Sequence, residues 1–445
     1  MARTVASLPG GPRLSDHLSL GVLAHVFPRR AVQASLAACG RTSQRRRDLP
    51  AEVMVYFVLA LGLFRSVSTR EVLRGLAEGL RWLGAAPLRL AGRAALSQAR
   101  KRLGVEPLHE LRRRCVRARA SAATPGAAYR GLLLRAWDGT TLEVPDEAVN
   151  RDAFGKPGAS RGEAAFPQVR LTALIEVGTR VPLAWTQGPY RESETAQARA
   201  LHHHLAPGQL LLADRGYLGA DHWRQAAATG AQLLWRARRD TALPVHRVLA
   251  DGSWHSRYGD HPVRVVEYAL AEAPDETYRL VTTLRDPEAA PAAELAALYH
   301  ERWEIETAYD ELKTHMLGPR PILRSKTPDL VRQEVEGLLL AYHAVRTFLA
   351  EAADAEALDP DDLSFVHAVR VVRRRLQNPG PRRRTRTVRS RDLCREILEE
   401  RVVSSRGLRR PRGVKRKMSN YPIRRAGPLD RRRHAWMPLI LAPAC

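Results

Sequence analysis

The 445-residue sequence lacks any apolar run long enough to span a bilayer, any cysteine pair at metal-ligand spacing, and enough acids to balance its bases. The longest apolar run, "VMVYFVLALGLF" at 53–64, is about twelve residues, well short of the roughly 20 that a membrane helix needs. It reads as a buried helix. The N-terminus carries no charged segment followed by an apolar one, so the expected location is cytoplasmic. Cys39, Cys115, Cys394 and Cys445 are scattered, which suits reduced thiols and argues against a disulfide framework or a zinc site. His202, His203 and His204 are adjacent, and neighbouring helical side chains diverge, so they read as a helix end. No internal repeat is visible.

What is present is positive charge. Lys and Arg number 72 against 47 acids, a formal balance of +25. Residues 371–445 hold 23 basic and 5 acidic residues, which is most of that excess. Such a field attracts a polyanion. Nucleic acid is favoured over a membrane surface, because no strongly amphipathic basic helix accompanies the charge.

The texture changes along the chain. Residues 1–125 read as a helical, basic N-terminal domain whose short helices could form a helix-turn-helix-like DNA-binding unit. Residues 126–370 read as an α/β core. There "GLLLRAWDGTTLEVP" suggests a hairpin turning at Asp138-Gly139, and "FPQVRLTALIEVGTRVPLAWTQ" a second, turning near Gly178. "ESETAQARALHHHL" and "GADHWRQAAATG" read as helices, while "GQLLLAD" and "AQLLWRA" read as buried strands. A strand meander followed by alternating helix and strand predicts a mixed sheet flanked by helices. Residues 238–287 interrupt that rhythm as a β-rich insertion. Residues 371–445 form a basic C-terminal region with one short helix, "SRDLCREILEERVV".

Three carboxylates stand out by position. Asp138 is expected to end the first strand, Asp214 ends "QLLLAD", and Glu306 lies on the helix after the insertion. Functional groups gather beyond strand ends. Three acids brought together repel unless a hard divalent cation neutralises them, and that cation suits phosphodiester chemistry. Taken singly, Asp138 also fits an ordinary Asp-Gly turn, and Asp214 an ordinary cap.

The segment "YHERWEIETAYDELK" (299–313) tightens this reading. At about 100° per residue, Tyr299, Arg302, Glu306 and Lys313 fall within an arc of about 60°. Leu298, Ile305, Tyr309, Leu312 and Met316 form an adjoining apolar stripe. The polar stripe therefore borders the buried one, where partly buried functional groups sit. Asp310 flanks the same stripe and is an alternative third carboxylate. Arg302–Glu306 also reads as an ordinary i,i+4 surface pair.

The spacing Y-(2)-R-(3)-E-(6)-K, with "WDGTTLEVPD" around Asp138 and "LLLADRGYLG" around Asp214, resembles the signature of the insertion-sequence-four family of bacterial DDE transposases. The resemblance runs through most of the chain, including the N-terminal helices, the β-rich insertion and "RGVKRKMSNYP" in the tail. It implies a ribonuclease-H-like core in which Asp138, Asp214 and Glu306 bind two Mg²⁺ ions, with Mn²⁺ as a substitute. It also implies a transposase that cleaves at terminal inverted repeats, excises the element through hairpins, and joins its 3′ ends to target DNA. Double-stranded DNA, a homodimer in the synaptic complex and a nucleoid-associated location follow. Tyr299, Arg302 and Lys313 would contact end phosphates; Lys156, Gln168 and Arg170 lie where relatives have a DNA-facing loop and read either as backbone contacts or as structural residues, and Arg215 would neutralise DNA or the carboxylates. Relatives stack a flipped base on a Trp in the insertion; the matching position here is Tyr278, with Trp254 as the fallback. Two other readings are a DNA-binding derivative without catalysis, which the intact triad opposes, and a ribonuclease-H-like nuclease without strand transfer, which the insertion and tail oppose.

Overall fold

The structure is a computed structural model that describes residues 22–43, 49–81, 91–159, 162–270, 273–319, 322–377, 386–402 and 439–441. Its helices before the sheet are α1 (Leu23–Val26), α2 (Arg29–Ala38), α3 (Ala51–Leu63), α4 (Thr69–Arg81), α5 (Arg93–Leu103) and α6 (Glu106–Cys115). Those within and after it are α7 (Ala148–Phe154), α8 (Glu194–Arg199), α9 (Ala220–Ala227), α10 (Ala292–Tyr299), α11 (Trp303–Asp310), α12 (Pro328–Ala355), α13 (Phe365–Gln377) and α14 (Arg386–Ile397).

Helix α3 is apolar on every side, and every residue from Val53 to Leu63 is buried. A helix without a polar face needs cover all round, and α12 supplies much of it. Two glycines permit the close approach. A methyl group on Gly62 would lie 2.9 Å from the Leu338 Cα, and one on Gly337 would lie 2.6 Å from Val58 Cγ1. One hydrophobic cluster runs from these N-terminal helices through α12 to the sheet. The change of texture near residue 125 is thus a change from helix to strand within a continuous core. None of the helices among the described residues is long and apolar enough to cross a membrane.

The strands are β1 (Ala128–Tyr129), β2 (Leu132–Glu143), β3 (Gly158–Ala159), β4 (Gly162–Glu163), β5 (Gln168–Glu176), β6 (Pro182–Pro189), β7 (Gln209–Ala213), β8 (Gln232–Ala237), β9 (Arg247–Val248), β10 (Trp254–Tyr258), β11 (His261–Leu270), β12 (Ala273–Thr282) and β13 (Leu439–Leu441). The main sheet runs β6-β5-β2-β7-β8-β12-β11-β10-β9. β2, β5 and β6 are antiparallel, whereas β7 and β8 run parallel to β2. This is the mixed sheet that the sequence pattern predicts. The insertion does not stand apart: β12 pairs with β8, so β9–β12 extend the same sheet.

The expected first hairpin fails, and with it the expectation that Asp138 ends a strand. Asp138-Gly139 is not a turn, because β2 runs straight through it, with Asp138 opposite Ala173 and Gly139 opposite Thr172. An isolated Asp-Gly favours a turn, but here an unbroken antiparallel register with β5 spans Arg135 to Glu143 and overrides that local preference. The second turn does fall around Gly178, between β5 and β6. In the tail, α14 takes the place of the expected short helix and β13 pairs with β11. The segment "RGVKRKMSNYP" lies outside the described residues.

Candidate active site

Sheet register brings the two aspartates together. In the parallel β2–β7 pair, Ala136 stands opposite Leu212, so Asp138 and Asp214 each lie two residues further along. Side chains alternate with period two, and adjacent strands are about 4.8 Å apart. Both aspartates therefore project to the face bearing Ala136 and Leu212, which belong to the core cluster shared with α11. β7 ends at Ala213 while β2 continues. The pair thus lies at the carboxyl end of a parallel strand, where ligands gather in such sheets.

The acid-bearing helical segment does not keep one pitch. α10 passes through a 3-10 turn (His300–Arg302) into α11, which continues as a π-helical stretch (Glu311–Met316). In a 3-10 turn, residues three apart eclipse each other. Arg302 accordingly sits over Tyr299, with its guanidinium carbon 5.8 Å from the ring centre. The uniform count of about 100° per residue thus holds within α11 but fails on both sides of it. Lys313 falls in the π stretch, a distortion often found at functional sites.

Arg302 is the hub. Its Nη2 donates to Glu306 Oε1 at 2.8 Å, its Nη1 lies 3.8 Å from Asp138 Oδ2, and Asp214 acts on it electrostatically. Asp138 is largely buried, and its Oδ1 accepts the Gly139 N–H at 2.8 Å. Burial pushes its pKa up to about 7, assisted by the Glu194 and Glu306 charges and opposed by Gly139 and Arg302. Tyr299 is buried, and its hydroxyl donates to the Ala213 carbonyl at 3.3 Å. Lys313 Nζ donates to Thr140 Oγ1 at 3.2 Å, on the Asp138 face of β2, and burial lowers its pKa.

The remaining candidates divide. Arg215 is exposed beside Asp214. Lys156 is paired with Asp146 at 3.0 Å. Arg170 is paired with Glu194 at 2.6 Å and lies over Tyr190. Gln168 starts β5, half-buried. Asp310 faces solvent and accepts from Thr314 at 2.7 Å. Tyr278 is stacked on Tyr268, centroids 5.3 Å apart, with the Arg236 guanidinium over its ring. Trp254 is buried in the core and offers no face to a base.

Three residues escaped the sequence reading. Glu194 presses its carboxyl against Gly139, where a methyl group would lie 2.4 Å from the carboxyl carbon. Its place in the first turn of α8 suggests only a helix-dipole role. Tyr309 was assigned to the apolar stripe, yet its hydroxyl donates to the Asp138 carbonyl at 2.6 Å. Trp303 is 51% exposed, with the Arg302 guanidinium carbon 5.5 Å from its ring centre. A large exposed aromatic next to the signature arginine was the available signal.

The donor set suits a hard divalent cation: carboxylates converge on one face, and burial leaves Asp138 poorly compensated as an anion. The acids are gathered around Arg302 and are not arranged as a coordination shell. Among the described residues, no group of three His, Cys, Asp or Glu side chains is placed to hold a metal ion.

Comparison with known proteins identifies the family. Residues 17–113 match the family described as insertion element 4 transposase N-terminal. Residues 129–343 match the transposase DDE domain. Transposase InsG for insertion sequence element IS4 of Escherichia coli (strain K12) is 29% identical over 413 residues, covering 88% of this chain and 91% of that protein. Putative transposase InsZ of the same organism is 28% identical over 204 residues, 46% of this chain and 66% of that one. A solved piggyBac transposase synaptic complex with hairpin DNA covers 86% of this chain and 85% of its own at 11% identity and a TM-score of 0.45, a likeness too low to carry weight. The chain belongs to the insertion element 4 family of DDE transposases, the enzymes of insertion-sequence transposition.

Proposed function

We propose that Asp138, Asp214 and Glu306 are the catalytic acids and together hold two Mg²⁺ ions, for which Mn²⁺ substitutes. DDE transposases as a class use divalent metal ions; the identity and number of the ions are our reading. Such ions would supply activation of water or a 3′-hydroxyl and stabilisation of the leaving oxygen. The observation that carries the assignment is the shared level and face of Asp138 and Asp214, with Arg302 reaching both Asp138 and Glu306.

The chain's own groups divide the remaining work. Lys313 is partly buried and Arg302 is buried and paired with Glu306, so both would meet a DNA phosphate inside the site, Arg302 only after leaving its carboxylate partner. Tyr299 steadies the segment through its bond to the Ala213 carbonyl, in place of direct contact with a phosphate. Arg215 is exposed for backbone contact, whereas Lys156 and Arg170 would have to leave their carboxylate partners to reach DNA. Tyr278 is stacked on Tyr268 and has the Arg236 guanidinium over its ring, so among the described residues the exposed Trp303 offers the more open aromatic face to an unpaired base, since any base can stack on an aromatic face. DNA ends would be gripped mainly through phosphates, and binding would weaken with salt. Two ends held together imply a homodimer in the synaptic complex.

The test is incubation of DNA carrying the element's ends with wild type or Glu306→Gln, in Mg²⁺ or Mn²⁺. Retained end binding with lost cleavage is the expected result. Unchanged cleavage by Glu306→Gln would remove Glu306 from the site.

A further inference from the structure

We propose that Tyr309 is a positioning residue that fixes the separation of Asp138 and Glu306 by fastening α11 to the Asp138 carbonyl. The proposal rests on the reading that these two acids hold a divalent cation together. Tyr309 follows Glu306 by three residues, which makes the two side chains neighbours on the helix surface. Its ring is buried in the core beneath the sheet. Its hydroxyl donates to the Asp138 carbonyl at 2.6 Å and accepts the Ala173 N–H at 3.1 Å. Asp138 and Ala173 are register partners on β2 and β5, so a single phenol touches both strands at the acid's own position.

Apolar packing alone would not set this distance, because hydrophobic contact is non-directional. A hydrogen bond is directional and fails within a few tenths of an ångström. Tyr299 makes a matching attachment seven residues before Glu306, to the residue preceding Asp214. Glu306 therefore sits between two tyrosines, each bonded to the strand that carries one aspartate. A metal site needs its ligands placed closely, and groups that orient ligands typically change affinity or activity by about 10–100-fold when removed.

The experiment uses the full-length chain and Tyr309→Phe, which keeps the ring and removes only the hydroxyl. Mn²⁺ is titrated without DNA and followed by Mn²⁺ electron paramagnetic resonance; end cleavage is measured in parallel against metal concentration. The expected result is an increase of about tenfold in the Mn²⁺ needed for half-saturation, with cleavage partly restored at high metal. End binding in EDTA stays unchanged. Tyr56→Phe is the control, since it removes a buried hydroxyl that donates to the Phe27 carbonyl at 2.7 Å, away from the acids. It should lower the melting temperature and leave the Mn²⁺ titration alone.

A wild-type titration for Tyr309→Phe, or an equal shift in Tyr56→Phe, overturns the positioning role. Glu306→Gln separates the two levels of the account. If it binds Mn²⁺ as wild type does, the metal reading itself fails. If it loses Mn²⁺ while Tyr309→Phe does not, the tyrosine proposal fails alone.

Discussion

The segment from Arg302 to Lys313 presents acids to two very different surroundings. On one side, Glu304 and Glu311 are buried against Arg180 and Arg346. Glu304 and Glu311 accept from Arg180, Glu311 also accepts from Arg346 and from the Tyr342 hydroxyl, and Asp361 completes the cluster. On the other side, Glu306 and Asp138 share Arg302 at 2.8 and 3.8 Å, and Asp214 acts on the same guanidinium. The first group is a buried ion-pair network, Glu304, Glu311 and Asp361 against Arg180 and Arg346, that locks the helix to α12 and to the β5–β6 turn. The second is deficient in positive charge. Buried ion pairs hold geometry when complete, whereas an undercompensated carboxylate group is a place for a cation. The difference separates scaffold acids from the proposed catalytic acids within about two turns of helix.

The comparison can be broken in several ways. Glu306→Gln, Asp138→Asn and Asp214→Asn should each reduce end cleavage by more than about a thousandfold, or ~4 kcal/mol of transition-state stabilisation, while the protein stays folded. A gel assay of cleavage alongside a binding assay measures this. Glu311→Gln should do the reverse, because it leaves Arg346 and Arg180 buried with reduced charge compensation. A loss of about 3 kcal/mol in stability is expected by urea unfolding. If Glu311→Gln unfolds at the wild-type midpoint, the scaffold half of the contrast is wrong.

Asp138 supplies a pH test with a defined sign. Its folded pKa is about 7, against an ordinary value of 3.8, so between these values the folded state binds more protons. Its favourable contribution is present below pH 4 and is lost as pH rises through 7. Without metal, Asp138→Asn should therefore be more stable than wild type at pH 8, by about 2 kcal/mol after allowance for partial exposure. The advantage should vanish near pH 4. Thermal melts across that range check it, and a constant difference at all pH values would contradict it. The smallest effect belongs to Gly139→Ala, which must displace the Glu194 carboxyl. Because that group is the movable end of a side chain held by Arg170, the expected cost is about 1 kcal/mol. A melt of the variant beside Arg170→Ala would show whether the two act through the same carboxylate.

Much of the site was legible because it depends on residue identity and order. Asp138 and Asp214 come to the same level of neighbouring strands, and Arg302 of the Tyr299–Lys313 signature reaches Asp138 and Glu306. The turn at Asp138-Gly139 was misread because turn preference is local, whereas the strand is dictated by β5, some 30 residues away in sequence. The pitch changes at 300–302 and 311–316 carry no clear residue code. Tyr309 looked like core, and by burial it is core; only its hydroxyl reveals the second role. Glu194 was hidden for a similar reason, since its partner Arg170 comes from another element. Pairings across the fold were what one-dimensional periodicity could not supply.

The most direct measurement of the central claim is an anomalous-scattering map of Mn²⁺ in the protein bound to an end-bearing DNA. The predicted result is strong signal between the Asp138, Asp214 and Glu306 carboxylates, with Arg302 no longer their shared partner. Signal elsewhere, with those acids still gathered on Arg302, would contradict it.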